Sequence, residues 1–255
     1  MKKDFISIKV SSHTYAQFID KTLELINKKK SSYICVANIH MLVEAYQDED
    51  FATIVNSADL CAPDGMPLAW GMRLLYGEKQ DRVCGMDLLP DLLAQSEIKG
   101  IPVFFYGGSN EMLVKNQAFL DEKHPKLNTA GMLSPPFRQL SPKEEAEHVD
   151  MINGSGAKFL VVALGCPKQE KWMARMKGKI QMPMIGIGGA LPVMIGLQKR
   201  APVWMQKTSL EWLFRLMQEP KRLMKRYFVT NTVFLFLFCL ELAASKRPNI
   251  KATLN

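Results

Sequence analysis

The sequence predicts an α/β fold in which a mostly parallel sheet is flanked by helices. Short runs rich in β-branched and aromatic residues alternate with amphipathic stretches of helical period along most of the chain. Three of the short runs end in glycine-containing turns, as parallel strands do where the chain enters a crossover helix. After residue 198 the chain becomes rich in basic and aromatic residues, which predicts a helical appendage. Together these observations predict a Rossmann-like core followed by a C-terminal extension.

The elements follow from local patterns taken in chain order. A first strand is predicted at Phe5–Val10, and the helix after it, Tyr15–Lys28, carries apolar Phe18, Leu23 and Ile26 on one face. Further strands are predicted at Tyr33–Ala37, Leu60–Ala62, Val103–Tyr106, Leu127–Ala130, Phe159–Leu164 and Met184–Ile187. Further helices are predicted at Met66–Leu75, Asp87–Gln95, Glu111–Glu122, Pro142–Ile152 and Lys168–Lys177.

The charge of the chain is concentrated near its C-terminus. The 255 residues include 33 Lys and Arg against 25 Asp and Glu, a formal net charge of +8. Between residues 199 and 226 the only acidic residues are Glu211 and Glu219. The basic residues of this segment are Lys199, Arg200, Lys207, Arg215, Lys221, Arg222, Lys225 and Arg226. This excess predicts an anionic partner. It also divides the chain into a core, residues 1–198, and an appendage, residues 199–255.

The appendage has the pattern of a membrane-contacting segment. A Trp-rich helix is predicted at Val203–Gln218, and Pro220 ends it and starts another helix. The apolar run at 233–240 has eight residues, fewer than the ~20 that span a bilayer, so it predicts a helix lying in the interface of an anionic membrane. The alternative is a helix buried against the domain or in a homo-oligomer contact. Because the basic residues interleave with Phe and Leu, nucleic-acid binding is not expected.

Cysteine usage and the N-terminus favour a cytoplasmic protein. The five cysteines are odd in number and widely spaced, with no Cys-x-x-Cys pair, which predicts reduced core thiols. No His, Cys and carboxylate cluster has metal-ligand spacing, so no metal site is predicted. The basic N-terminus lacks an apolar stretch long enough for a signal peptide.

Three glycine turns after strands indicate a phosphate-bearing ligand. They contain Gly107 and Gly108, Gly165, and Gly188-Gly189. Glycine lets the backbone approach a ligand, and the following helix presents free N–H groups to phosphate. One such turn is often only a packing requirement, but three beside a basic segment favour a nucleotide or pyrophosphate ligand. None matches the P-loop or the dinucleotide fingerprint.

Asp64 is the candidate catalytic residue. It lies between Pro63 and Gly65, where a short apolar strand gives way to a helix, and both flanking residues restrict the direction of its side chain. Loops at strand ends carry the chemistry of α/β domains. The residues leave two interpretations open, a catalytic base or a helix N-cap that only accepts backbone N–H bonds.

Other polar residues at predicted strand ends are candidates for substrate binding. Asn38 and His40 follow the strand Tyr33–Ala37, although a single His near an apolar strand is more often structural. Gln169 opens a helix and can bind a sugar hydroxyl or uracil, whereas its neighbour Glu170 is interpreted mostly as complementing the helix N-terminus.

Arg82 is a further candidate, because its planar guanidinium suits a phosphate; the alternative is a surface salt bridge.

Taken together, the motifs resemble the WecG/TagA/CpsF glycosyltransferase family. The matching stretches occur in order over nearly the whole chain. They are 37–41 (ANIHM), 58–60 (ADL), 63–65 (PDG), 82–88 (RVCGMDL), 105–108 (FYGG), 135–137 (PPF), 164–170 (LGCPKQE), 200–202 (RAP), 210–216 (LEWLFRL), 219–222 (EPKR) and 226–227 (RY).

The resemblance implies an inverting, metal-independent glycosyltransferase of bacterial surface-polysaccharide assembly that needs no cofactor. It implies a UDP-sugar donor and a polyprenyl-diphosphate-linked sugar acceptor at the cytoplasmic face of the membrane. The general base of the family falls on Asp64, and the residues lining its site fall on Asn38 and Gln169. Its diphosphate-contacting arginines fall on Arg215, Arg222 and Arg226.

Two other functions are alternatives to a glycosyltransferase. A non-catalytic, membrane-associated nucleotide-sugar-binding module would carry the same glycine turns and basic tail. A nucleotide-sugar oxidoreductase or epimerase would need a dinucleotide fingerprint and a Tyr-x-x-x-Lys pair, which the sequence lacks.

Overall fold

The computed structural model describes residues 1–208 and 210–245, with the side chains of Lys207 and Ser245 excepted. Eight strands occur in these ranges: β1 Lys2–Phe5, β2 Ile8–Ser11, β3 Ser32–Ala37, β4 Leu60–Pro63, β5 Val103–Gly107, β6 Thr129–Leu133, β7 Phe159–Ala163 and β8 Pro183–Gly186. The helices of the core are α1 Tyr15–Asn27, α2 Ile39–Gln47, α3 Glu49–Asn56, α4 Met66–Tyr76, α5 Gly85–Ile98, α6 Asn110–Lys123, α7 Pro142–Gly154, α8 Lys168–Met176 and α9 Ala190–Met194. The appendage contributes α10 Val203–Lys207, α11 Glu211–Gln218 and α12 Pro220–Ser245.

Six strands form one parallel sheet, in the order β4-β3-β8-β7-β5-β6. The predicted α/β class and the Rossmann-like, mostly parallel sheet are therefore confirmed. Apolar residues fill both faces of the sheet, with Tyr33 and Cys35 of β3 on one side and Ile34 and Val36 on the other. Helices cover both layers, as parallel sheets require.

The prediction of a single first strand at Phe5–Val10 is wrong. The segment is the antiparallel hairpin β1–β2, which turns at Ile6 and Ser7 and pairs Phe5 with Ile8. Ile6 adopts a φ of 58°, which is uncommon for a β-branched residue, so the sequence gives no turn signal there. The hairpin lies beside the sheet, where the Cys61 N–H donates to Ser11 Oγ at 3.0 Å.

The appendage differs from prediction in two respects. The single helix expected at Val203–Gln218 is two shorter helices, α10 and α11, and residue 209 between them lies outside the described residues. Pro220 does start a new helix, as predicted, but α12 is 26 residues long. Residues 246–255 of the predicted appendage also lie outside the described part of the chain.

The length of α12 changes the argument that its apolar run, residues 233–240, is too short to span a bilayer. Among the described residues, Pro220–Ala244 is long and apolar enough to cross a membrane, with a mean hydropathy of 1.7 in its most apolar window. In the structure, however, this helix packs along α2 and α4, and Leu223, Phe234 and Leu237 are buried. Its other face stays exposed. The helix therefore has one protein-facing side and one free apolar side.

Candidate active site

A cleft of about 630 Å³ lies at the carboxyl edge of the sheet, between the core and the appendage. This is the edge where α/β sheets bind ligands, and the volume suits a small-molecule site. The core wall is formed by residues that follow β3, β4, β7 and β8 and by the start of α5. The opposite wall comes from α11 and α12. The cleft therefore needs both parts of the chain.

Asp64 lies on the core wall, immediately after β4. Its backbone N–H donates to the Ala37 carbonyl at 2.7 Å, which continues the pairing of β3 and β4 by one residue. Gly65, with a φ of 104°, then turns the chain into α4 and is itself the N-cap of that helix, which has no side-chain cap. The N-cap interpretation of Asp64 is therefore wrong, and its half-buried carboxyl group faces the cleft.

The surroundings of Asp64 tune its acidity. Burial raises the pKa of Asp64 to about 6, and the negative charge of Glu211 acts in the same direction. A hydrogen bond with Cys84 and the positive charges of Arg82 and Arg215 oppose this rise in pKa. At neutral pH the carboxyl group is therefore ionised and able to accept a proton.

Arg82 joins the two walls. Its guanidinium donates to Asp87 Oδ2 at 3.1 Å and to Glu211 Oε2 at 3.0 Å. Glu211 lies on α11, and its second oxygen, Oε1, is buried without a hydrogen-bond partner. Sequence reasoning assigned Glu211 no role; the available signal was an acidic residue within a strongly basic segment.

Gln169 is buried in the core wall, and its side-chain amide makes three hydrogen bonds within the protein. Its Oε1 accepts from the N–H groups of Gly165 and Gly188, each at 3.1 Å, and its Nε2 donates to Glu170 Oε1 at 2.8 Å. The side chain thereby connects the loops after β7 and β8. The residue also lines the cleft, and one of its two Nε2 N–H groups is engaged by Glu170.

Glu170 lies in the first turn of α8, as predicted, but it is also fully buried. Burial raises the pKa of Glu170 to about 7, and its Oε2 has no hydrogen-bond partner. The sequence did not predict this burial, because a Glu in a first helical turn is usually exposed.

Asn38 and His40 lie at the start of α2 and line the cleft. Asn38 caps the helix by accepting from the Met41 N–H at 3.2 Å. His40 contacts Glu44 through Nε2 at 3.4 Å. Burial, with a contribution from the positive charge of Arg226, lowers the pKa of His40, so its imidazole is neutral at neutral pH.

The three candidate arginines of the appendage also line the cleft. The guanidinium of Arg215 lies against the loop after β8, because a Cβ on Gly189 would come within 2.8 Å of its Nη2. Arg222 pairs with Glu219 one turn earlier. Arg226 lies 5.4 Å from the ring centre of Tyr227, and its Nε is buried without a hydrogen-bond partner.

The structure places the predicted residues Gly107 and Gly108 outside the cleft lining. Packing explains both glycines. A Cβ on Gly107 would lie 2.6 Å from the Ala163 carbonyl oxygen, and one on Gly108 would lie 2.8 Å from the sulfur of Met112. Gly165 does line the cleft, with a φ of 79°. Within 1–208 and 210–245, no three His, Cys, Asp or Glu side chains come together as metal ligands.

Comparison with known proteins agrees with the resemblance drawn from the motifs. The model of the Glycosyl transferase WecG/TagA/CpsF family matches residues 3–248, which covers the core and the described appendage. A protein of Bacillus spizizenii is 29% identical over 220 residues, covering 86% of this chain and 82% of that relative. It is named N-acetylglucosaminyldiphosphoundecaprenol N-acetyl-beta-D-mannosaminyltransferase. The chain belongs to the Glycosyl transferase WecG/TagA/CpsF family and is a glycosyltransferase.

Proposed function

We propose that the chain transfers an N-acetylhexosamine of the N-acetylmannosamine type from a UDP-sugar to a polyprenyl-diphosphate-linked sugar, with inversion at the anomeric carbon. The product would serve bacterial exopolysaccharide, teichoic acid or surface-antigen synthesis. The observation that carries the proposal is a carboxyl group with a pKa of about 6 on one wall of a cleft whose other wall bears three arginines. The relative's name supports the sugar and the lipid acceptor.

Asp64 acts as the general base in this proposal. The acceptor hydroxyl loses its proton to the carboxylate as its oxygen attacks the anomeric carbon from the face opposite UDP. The bond between that carbon and the UDP oxygen breaks, and UDP leaves with the bonding electrons. One displacement of this kind inverts the configuration, and the fixed backbone of Asp64 is suited to holding the base on one side of the sugar.

The diphosphate charge that develops on leaving UDP needs stabilisation. Arg215, Arg222 and Arg226 line the appendage wall, and the first residues of α2 and α5 line the core wall. Helix N-termini present free N–H groups and partial positive charge to anions, and guanidinium groups bind phosphate oxygens. Arg82 can join them by exchanging a carboxylate partner for a phosphate.

The remaining cleft residues are proposed to bind the uracil and sugar groups. Asn38 and neutral His40 are partly exposed polar side chains of the core wall, and Gly165 beside them lets a ligand approach the backbone closely. Gln169 contributes by holding together the loops that carry Gly165 and Gly188. Gly107 and Gly108 do not enter the proposal, because they lie outside the cleft lining.

We also propose that the enzyme sits peripherally on the inner face of the cell membrane. A polyprenyl chain keeps the acceptor in the bilayer, so the cleft must reach the lipid surface. Helix α12 begins with Lys221, Arg222 and Lys225 and continues with exposed Phe and Leu side chains. A basic start and an apolar face suit a helix in the interface of an anionic membrane.

The reaction is tested by supplying UDP-N-acetylmannosamine and an N-acetylglucosaminyl-diphosphate carried on a short, water-soluble lipid, and measuring UDP release and the glycolipid product. UDP-N-acetylglucosamine and UDP-glucose serve as donor controls. We expect product only with both substrates and preference for N-acetylmannosamine. Transfer of a different hexose would correct the donor, and UDP binding without transfer from any donor would contradict the proposed reaction.

A further inference from the structure

Helix α12 is held in one orientation by aromatic packing against the core. Phe234 and Phe238 stack on each other with ring centres 5.7 Å apart, and both contact Phe5 of the hairpin. Gly71 of α4 makes room for this cluster, because a Cβ there would come within 2.3 Å of the Phe5 ring and 3.1 Å of Phe238. The side of α12 that carries Phe234 and Phe238 therefore faces the core.

The opposite side of α12 leaves a row of large apolar side chains in the open. Phe236 is 62% exposed, and Leu235 and Leu240 are also exposed. Since Phe238 lies over Gly71, helix α4 runs next to α12. Two of them, Trp70 and Leu74, are 47% and 65% exposed and share one face of α4, being four residues apart. The two neighbouring helices thus both expose large apolar side chains.

This apolar surface lies at the mouth of the cleft. Helix α4 begins two residues after Asp64, and its first residues, Met66 and Pro67, line the cleft. Leu235 of α12 belongs to both the cleft lining and the exposed row. A lipid-linked acceptor entering the cleft would therefore pass along this surface.

We propose that α4 is the second half of the membrane-docking surface, with Trp70 and Leu74 entering the bilayer interface beside Leu235, Phe236 and Leu240 of α12. This inference rests on the proposed membrane location and extends it from the appendage to the catalytic core. Anionic lipid is the occupant that the proposal names, because exposed Arg73 lies on α4 and exposed Lys221 and Lys225 begin α12. The charges of Asp4, Glu78 and Glu241 also act on Tyr76 at the end of α4, where Lys3 pairs with Glu78. Tryptophan is enriched at membrane interfaces, where its apolar ring and polar N–H are both satisfied.

The test compares two double variants of the full-length chain. Trp70→Ser with Leu74→Ser removes the α4 contribution. Ile98→Ser with Val114→Ser removes two exposed apolar side chains, 76% and 70% exposed, from α5 and α6. Both pairs are exposed, so both variants should fold, which circular dichroism checks. Binding is measured by co-sedimentation with vesicles of phosphatidylglycerol and phosphatidylcholine. We expect the α4 variant to lose roughly tenfold in partitioning, because buried apolar area sets the strength of interfacial binding, and the control to match the wild type.

Three outcomes would overturn the inference. Equal vesicle binding by the two variants would show that α4 does not contribute to docking. No vesicle binding by the wild type would show that the chain has no membrane-docking surface. A wild-type dimer in light scattering that becomes monomeric in the α4 variant would identify the surface as a contact between copies of the chain. Transfer to the water-soluble acceptor is measured in parallel. Since the α4 variant should retain it, failure of the reaction and failure of docking are separable.

Discussion

The two walls of the cleft are built differently. The core wall consists of strand ends and tight loops whose backbone groups are tied together, as when Gln169 accepts from both Gly165 and Gly188. The appendage wall is made of side chains of α11 and α12, and its charged members are Glu211, Arg215, Arg222 and Arg226. None of the eight residues of α11 is buried, and Arg222 and Glu211 are held by ion pairs.

This difference separates two tasks of the proposed reaction. A general base must be held within hydrogen-bond reach of one hydroxyl, which requires the rigid sheet edge. Diphosphate binding requires positive charge more than fixed geometry, and arginines on a less buried element can close over a charged ligand. Regions with few buried contacts open at lower free-energy cost, so we expect substrate entry from the appendage side.

The largest effect should come from removing the base on the core wall. Asp64→Asn keeps the size of the side chain but cannot accept the proton, so turnover should fall about 10³-fold, within the range of general-base contributions. Binding of UDP-sugar, measured by calorimetry, should persist. Asp20→Asn on the exposed face of α1 is the matched control. Near-normal turnover of Asp64→Asn would remove this residue from the mechanism.

The next largest effect should come from the appendage wall. Replacing Arg215, Arg222 and Arg226 together with Gln should lower kcat/KM at least about 10²-fold, because diphosphate charge would lose its counter-charges. The control replaces three exposed lysines of the core, Lys115, Lys123 and Lys143, and so changes the net charge equally. If both triple variants lose the same activity, overall charge rather than the cleft is responsible.

A smaller effect, on stability, is expected from removing hydrogen bonds of the core wall while Asp64 is left unchanged. Gln169→Ala leaves the N–H groups of Gly165 and Gly188 without their acceptor, which should cost about 2 kcal/mol in the free energy of unfolding. Urea unfolding measures this loss, and Gln117→Ala on the exposed face of α6 provides the comparison. An unchanged stability would mean that water replaces the amide at no cost.

The smallest expected effect is a change in the pKa of Asp64 when a charge of the appendage is removed. With the pKa of Asp64 at about 6, kcat/KM should fall below pH 6, as the carboxylate is protonated, and level off above it. Glu211→Gln removes a negative charge that raises this pKa, so the acidic limb of the profile should move to lower pH. Glu241→Gln, which changes the same charge near the end of α12, should leave the limb in place. A shift to higher pH would contradict the assigned influence.

Pattern reasoning predicted the fold because parallel strands and crossover helices have separate, strong periodicities. It identified the strand end that carries Asp64 for the same reason. It missed the hairpin because Ile6 is an atypical turn residue. It could not distinguish Gly107, which is constrained by the Ala163 carbonyl, from Gly165, which lines the cleft, because both follow strands.

Long-range pairings were also beyond local patterns. The contact between Arg82 and Glu211 joins residues 129 positions apart, and no spacing rule predicts it. The hydrogen bond from the Gly188 N–H to Gln169 likewise depends on a loop that follows another strand, β8. The apolar run of α12 was interpreted by its own length, whereas the helix around it is three times longer because basic and small residues extend it.

The hydrogen bond from the Asp64 amide to Ala37 has one more consequence. Since the backbone of Asp64 is hydrogen-bonded to β3, its carboxylate can change position only by rotation about the two side-chain torsions. The proposed base therefore cannot move toward a poorly placed acceptor. Which acceptor hydroxyl is glycosylated would then depend on how deeply the acceptor sugar enters the cleft. Substitutions of other cleft-lining residues should therefore change the linkage position more readily than moving the aspartate would.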